Sequence, residues 1–144
     1  MNPFTTIRQY VLDANALIGF FENRPGAATK VRHLFEESFR LSRPLFLSTV
    51  NWGEVFYISW KLHGETRARE AESKIQQLPL LLIPADFERA TRAATLKQKH
   101  GLGYADAFAA ELAIDRGAFL VTADPEFSKL GRELLVYPLP RHKK

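Results

Sequence analysis

Four acidic residues stand where separate elements of this chain can bring them to one place: Asp13, Glu54, Asp106 and Asp124. Carboxylates gathered at one edge of a fold repel one another and rise in pKa unless a cation neutralises them. A ligand set made only of oxygen suits Mg2+ or Mn2+, which retain waters and accept a substrate phosphate as a further ligand. The chemistry expected of such a site is phosphodiester hydrolysis. One ion lowers the pKa of an attacking water, and a second, if held, clamps the attacking and leaving oxygens.

Each acid also has a purely structural use. Asp13, Asp106 and Asp124 lie near helix starts, where carboxylates cap free N–H groups and complement the helix dipole. Pro125, in the position favoured after an N-cap, strengthens that reading for Asp124. Glu54 stands three residues after Asn51, as the glutamate of a capping box does. Convergence of all four is what distinguishes a metal site from four caps.

The elements that must position these acids follow from hydrophobic period. Ile7 to Leu12 reads as a strand that stops at Asp13, where helical spacing begins through Leu17, Ile18 and Phe21. A turn at Asn23–Gly26 leads into a helix from Ala27 to Leu41, and Leu45–Leu47 is a second strand. Ser48-Thr49 starts a helix with a buried stripe of Val55, Ile58, Ser59 and Leu62, which His63-Gly64 closes. A polar helix from Glu65 to about Leu78 follows. Leu80–Ile83 is a continuous apolar run, expected of a strand covered on both faces. Asp86 caps a helix that runs to His100-Gly101, and Gly103 precedes an Ala-rich helix that Gly117 stops. Ala118–Thr122 is a strand, a short helix begins at Asp124-Pro125, and Leu134–Tyr137 is the last strand. Short strands alternating with helices predict an α/β fold, a three-layer α/β/α sandwich with a short parallel sheet. In such a sheet ligands bind beyond the carboxyl ends of the strands, where the acids fall.

Composition narrows the alternatives. The 144 residues are expected to form a single domain spanning 1–144, and 46% apolar with 25% charged content is that of a globular protein. There is no cysteine, which excludes disulfides, thiolate nucleophiles and Cys-ligated metals. No apolar run is long enough for a membrane span and no export signal is evident, so the expectation is a cytoplasmic protein without a membrane partner. The net charge of +4 is compatible with a polyanionic partner, and part of it lies in the terminal Arg141–Lys144. The histidines, His33, His63, His100 and His142, have no ligand spacing and fall outside the acidic motifs.

The strings Val11-Leu12-Asp13-Ala14-Asn15-Ala16-Leu17-Ile18, Val50-Asn51-Trp52-Gly53-Glu54-Val55, Tyr104-Ala105-Asp106-Ala107-Phe108 and Leu120-Val121-Thr122-Ala123-Asp124-Pro125-Glu126-Phe127 resemble, in order, the conserved segments of PIN-domain ribonucleases. The likeness spans nearly the whole chain and is strongest to compact VapC-type toxins of toxin–antitoxin pairs. It implies a PIN-like fold and an endoribonuclease that cuts RNA with one or two Mg2+ or Mn2+ ions. The matching acids Asp13, Glu54, Asp106 and Asp124 would be metal ligands and catalytic residues, with Asn15 and Thr122 in support. Asp124 falls at the family's most variable acid.

Toxins of this type also imply a homodimer and a small antitoxin partner, one that often offers an arginine to the acidic pocket. The large apolar residues Leu17, Phe20, Phe21, Trp52, Phe56 and Trp60 give the dimer independent support, because one thin sheet covers them incompletely. For the stripe Trp52, Phe56, Trp60 itself, core packing is the expectation ahead of a partner surface. Arg89, Arg92, Lys97, Lys99 and His100 are expected on a solvated helix face, ahead of an RNA-phosphate patch. A receiver domain or a haloacid-dehalogenase-type phosphatase is disfavoured, since Asp13-Ala14-Asn15 supplies one carboxylate where those enzymes need two. The remaining alternatives are a housekeeping PIN nuclease and a non-catalytic PIN fold that binds RNA or a partner.

Overall fold

In a computed structural model, which describes residues 8–142, five strands form one sheet in the order β3-β2-β1-β4-β5. They are β1 (Tyr10–Leu12), β2 (Leu45–Ser48), β3 (Leu80–Ile83), β4 (Phe119–Thr122) and β5 (Leu135–Pro138), and every neighbouring pair is parallel. Six helices connect them: α1 (Ala14–Phe21), α2 (Ala27–Leu41), α3 (Thr49–His63), α4 (Glu65–Ile75), α5 (Phe87–His100) and α6 (Tyr104–Arg116). A 3-10 segment, Pro125–Glu133, lies between β4 and β5. The chain leaves β1 toward β2 and β3, then returns to lay β4 on the other side of β1. The carboxyl ends of β1 and β4 therefore flank the point where the strand order reverses, the ordinary place for a site in such a sheet.

The core divides by strand alternation. Tyr10, Leu12, Leu45, Leu47 and Val121 point to one face, under α1 and α2, with Leu17, Val31, Leu34 and Phe35. Val11, Phe46 and Leu120 point to the other, under α6, with Phe108, Leu112, Phe127 and Leu130. The three-layer α/β/α sandwich expected from the sequence is the architecture found. Because α3 packs against both α1 and α6, it crosses between the two helical layers just past the sheet edge.

Local chemistry sets the element ends. Ser48 Oγ accepts from Val50 N at 3.2 Å and Asp86 Oδ1 accepts from Arg89 N at 2.9 Å, starting α3 and α5. Gly101 and Gly117 end α5 and α6 in left-handed backbone, at φ 69° and 60°. The first strand is shorter than the sequence reading, beginning at Tyr10; Ile7 lies outside the described residues.

Four expectations are corrected. β3 is an edge strand paired only with β2, so Leu81 and Leu82 are exposed rather than covered; an unbroken apolar run cannot report which strand lies at the border. Leu62, read as part of a buried stripe, is 56% exposed because the end of α3 runs past the core. The stripe on α3 is half open: Trp52 and Phe56 are partly buried, their rings 5.9 Å apart, and Trp60 is exposed beneath the Arg69 guanidinium. Lys97 and Lys99 lie on a solvated face as expected, but Arg89 is turned from it and Arg92, though half exposed, is held by an ion pair. Both arginines reach across to the buried Glu111 of α6, at 3.2 and 2.9 Å, and Arg89 also meets Asp115.

Glu111 is 3% exposed, so its charge stands in the core only because two guanidinium groups close over it. Glu111→Ala is expected to destabilise the fold by about 2 kcal/mol, below the ~3–5 kcal/mol of a fully buried pair because Arg92 is half exposed. Urea unfolding measures this. A loss no larger than that of an exposed ion pair would show that the Glu111 network adds nothing to packing.

Candidate metal centre

Asp13 follows β1 directly, and its backbone N–H donates to Val121 O at 3.0 Å, extending the β1–β4 pairing by one rung. That rung places its side chain beside Thr122. Thr122 Oγ1 donates to Asp13 Oδ2 at 2.8 Å and accepts from Asp124 N at 3.0 Å and Asn15 Nδ2 at 3.2 Å. Asn15 Oδ1 accepts from Ala123 N at 3.1 Å, which ties α1 to the loop after β4. Asp13 Oδ1 meanwhile accepts from Ala14 N at 2.8 Å, as the N-cap of α1. The Asp13 side chain is thus fixed at both oxygens.

Glu54 comes from the second turn of α3, and Asp106 from the first turn of α6. One carboxylate oxygen from each of Asp13, Glu54 and Asp106 lies within 4.8 Å of the other two. The capping-box use of Glu54 does not hold, because Ser48 is the N-cap of α3 and Asn51 is already inside the helix. Asn51 Nδ2 instead donates to Glu54 Oε1 at 3.1 Å from within the helix.

Asp124 stands apart from this trio. Its Oδ1 accepts from Glu126 N at 2.9 Å and caps the 3-10 segment. Its charge still reaches Asp106, as does that of Glu126, an acid the sequence reading left out. Glu126 lies inside the last motif, Leu120 to Phe127, where nothing in the spacing marks it as a site residue; the tight 3-10 turn after Asp124 brings it near.

The electrostatics are those of an acid cluster short of positive charge. Burial, then the charges of Asp106 and Glu54, push Asp13 up to about 8, against the opposing Thr122 and Ala14 hydrogen bonds. Burial and the charges of Glu54, Asp124 and Glu126 push Asp106 up to about 6. Burial also raises Glu54, opposed by the bond from Asn51. Oxygen-only donors at this spacing, with pKa values raised by burial and by one another's charge, fit a hard divalent cation. Among the described residues no histidine joins them: His63 pairs with Glu22 at 2.8 Å, and His100 stands 3.3 Å from Glu133.

The raised values have a consequence for stability. Without a cation, Asp13 holds its proton to about pH 8, whereas the group ionises near 3.8 in an unfolded chain. Its contribution to stability is present in full below pH 3.8 and is lost as pH rises toward 8. Asp13→Asn, which mimics the protonated acid, is expected to match the wild type near pH 4 and to melt about 4 °C higher at pH 8 without metal. Added Mn2+ should raise the wild-type melting temperature at pH 8 and leave that of the variant nearly unchanged. A variant less stable than wild type at every pH would make Asp13 a structural cap alone.

Residues 10–133 match the family model described as PIN domain. Solved structures share the fold. One chain of the DNA-bound VapBC complex from Salmonella typhimurium superposes with a TM-score of 0.73 at 20% identity, over 92% of this chain and 98% of that one. A chain of VapBC2 from Rickettsia felis, bound to a promoter DNA fragment, gives 0.69 at 18%, over 90% and 98%. VapC20 from Mycobacterium tuberculosis, described as a sarcin–ricin loop cleaving toxin, gives 0.68 at 15%, over 92% and 100%. No curated protein matches the chain significantly. The family model takes in every strand but the last and all three clustered acids, and the chain belongs to the PIN domain family.

Proposed function

We propose that residues 1–144 form one nuclease domain, a metal-dependent endoribonuclease that hydrolyses RNA phosphodiester bonds and acts in the cytoplasm as the toxin of a type II toxin–antitoxin pair. The observation that carries the reading is the convergence of Asp13, Glu54 and Asp106 at the switch point of the sheet, with Asp13 and Asp106 raised in pKa. Asp13 caps α1, but a neutral asparagine can cap as well, so capping does not account for three acids gathered in this state.

Asp13, Glu54 and Asp106 would hold Mg2+ or Mn2+, with Asp124 reaching the same site from the loop after β4. A bound cation supplies Lewis acidity and neutralises the charge that builds on a scissile phosphate. Thr122 and Asn15 keep Asp13 oriented by hydrogen bonds to it and to its neighbours. Intact acids at all four motif positions favour an enzyme over a non-catalytic PIN fold.

The partner reading rests on α3 and on the relatives in fold. Tyr57, Trp60 and Leu62 are exposed on α3, beside the half-buried Trp52 and Phe56, and such patches mark interfaces. Several structures that share this fold are toxin–antitoxin complexes. These observations support a homodimer and a small antitoxin, and among the described residues no helix is long and apolar enough to cross a membrane.

Purified protein is expected to cut RNA only with Mg2+ or Mn2+ and to stop in excess chelator, and Asp13→Asn or Asp106→Asn should lower turnover by about 100-fold or more with the fold retained. Full cleavage in chelator would overturn the mechanism. In cells, expression of the chain alone should arrest growth and Asp13→Asn should relieve the arrest. Harmless expression of an active enzyme would favour a housekeeping nuclease instead. Light scattering at micromolar concentration should give the mass of a dimer.

A further inference from the structure

Asn51, the third residue of α3, is wholly buried at a position that an apolar side chain would suit better. Its Nδ2 donates twice, to Glu54 Oε1 at 3.1 Å and to the Ala105 carbonyl at 3.1 Å. Its Oδ1 is buried and has no hydrogen-bond partner among the described residues. The orientation of the amide is nevertheless fixed. Turning it over would set the carbonyl oxygen against a carboxylate and a second carbonyl, both acceptors only. The chain therefore keeps a polar group in its core that leaves one acceptor unsatisfied, an arrangement that burial alone disfavours.

What that group connects is specific. Glu54 lies one turn further along α3, and Ala105 immediately precedes Asp106 in the first turn of α6. One planar amide thus joins a carboxylate of the candidate metal centre to the backbone that carries another. Gly103, the residue before α6, leaves Asp106 room, since a Cβ there would stand 3.3 Å from Asp106 Oδ2. Without the Asn51 donor, Glu54 would lose its only side-chain hydrogen bond among the described residues and gain freedom to turn toward water.

We propose that Asn51 is a positioning residue that sets the spacing between Glu54 and Asp106 through its bridge to Ala105, so that both carboxylates reach one divalent cation. The proposal rests on the metal-nuclease reading above and deepens it. Groups that orient metal ligands from behind typically change metal affinity by about 10- to 100-fold when removed.

The test is a titration of the full chain with Mn2+ alone, followed by electron paramagnetic resonance of the free ion. Wild type is measured first, with Glu54→Ala as the ligand-loss reference. Asn51→Ala is expected to bind Mn2+ about 10- to 100-fold more weakly than wild type. Val55→Ala, one turn along the same helix and as fully buried, should lose stability yet keep wild-type affinity. Asn51→Ser carries the test where the alanine variant does not fold. Its hydroxyl turns back to the carbonyl one turn earlier and cannot bridge, so the same weakening is expected. Wild-type affinity in a folded Asn51 variant would overturn the positioning role, as would equal weakening in Val55→Ala. Absence of Mn2+ binding by the wild type would overturn the metal centre itself, and the role of Asn51 with it.

Discussion

Three carboxyl groups with an oxygen apiece inside 4.8 Å would repel one another once all are ionised, and the contacts around them hold them together against that repulsion. Asp13 is fixed by Thr122 from β4 and by the Ala14 N–H of its own helix. Glu54 is fixed by Asn51, and Asp106 sits on the first turn of α6, which Asn51 also grips through Ala105. The sheet supplies the frame for all of this. Parallel pairing of β1 with β4 puts Leu12 opposite Val121 and so sets Asp13 beside Thr122, while α3, touching both α1 and α6, brings Glu54 over the same edge. A cluster built this way is rigid and short of positive charge, which is the state that pre-organises a cation site.

Net charge and local charge point in different directions in this chain. The sequence carries +4 overall, yet at the strand ends burial, and then the charges of Asp106 and Glu54, raise Asp13 to about 8. Two of the arginines that contribute to the excess are committed to Glu111 in the α5–α6 layer and are not free for a polyanion. An RNA phosphate would therefore meet an anionic pocket, which it can enter only with a cation that offsets both charges. On the proposed reading the cation is what makes substrate binding possible as well as what activates it.

Much of the fold was legible because period and punctuation agree along the chain. Ala27–Leu41 and the helix from Ser48-Thr49 to His63 appear with the bounds their patterns gave, since Pro25-Gly26, Pro44 and Gly64 leave little choice of where they stop. The parallel sheet followed from strand–helix alternation, and the acids from their position near helix starts, Asp13 and Asp124 just past strands and Glu54 and Asp106 in the early turns of α3 and α6. What the sequence hid depends on contacts between distant elements. Exposure of Leu81 and Leu82 follows from β3 lying at the border, and strand order is a property of the whole chain. The pairing of Arg89 and Arg92 with Glu111 needs α5 laid along α6. Asn51 looked like half of a capping box because i to i+3 spacing is shared by a cap and its glutamate and by any two residues one turn apart. Only the position of Ser48 as the N-cap separates the two uses.

Capping and metal ligation, the two uses weighed for each acid, are not exclusive. A carboxylate has two oxygens with about four acceptor sites between them, and a cap occupies one. Asp13 caps α1 through Oδ1 and takes the Thr122 hydroxyl on Oδ2, yet still contributes to the three-oxygen cluster. Asp124 caps the 3-10 segment through Oδ1 alone while its charge reaches Asp106. The helix starts also favour negative charge. They therefore offset part of the repulsion that crowds these acids, and a strand followed by a capped helix delivers an oriented carboxylate to the sheet edge. A sequence full of acidic N-caps after strands is then no argument against a metal centre. Among the clustered acids Asp13 is both cap and cluster member, while Glu54 and Asp106 are carried by the early turns of α3 and α6. What distinguishes Asp13 from a plain cap is that the sheet topology brings a second and a third carboxylate to the same edge.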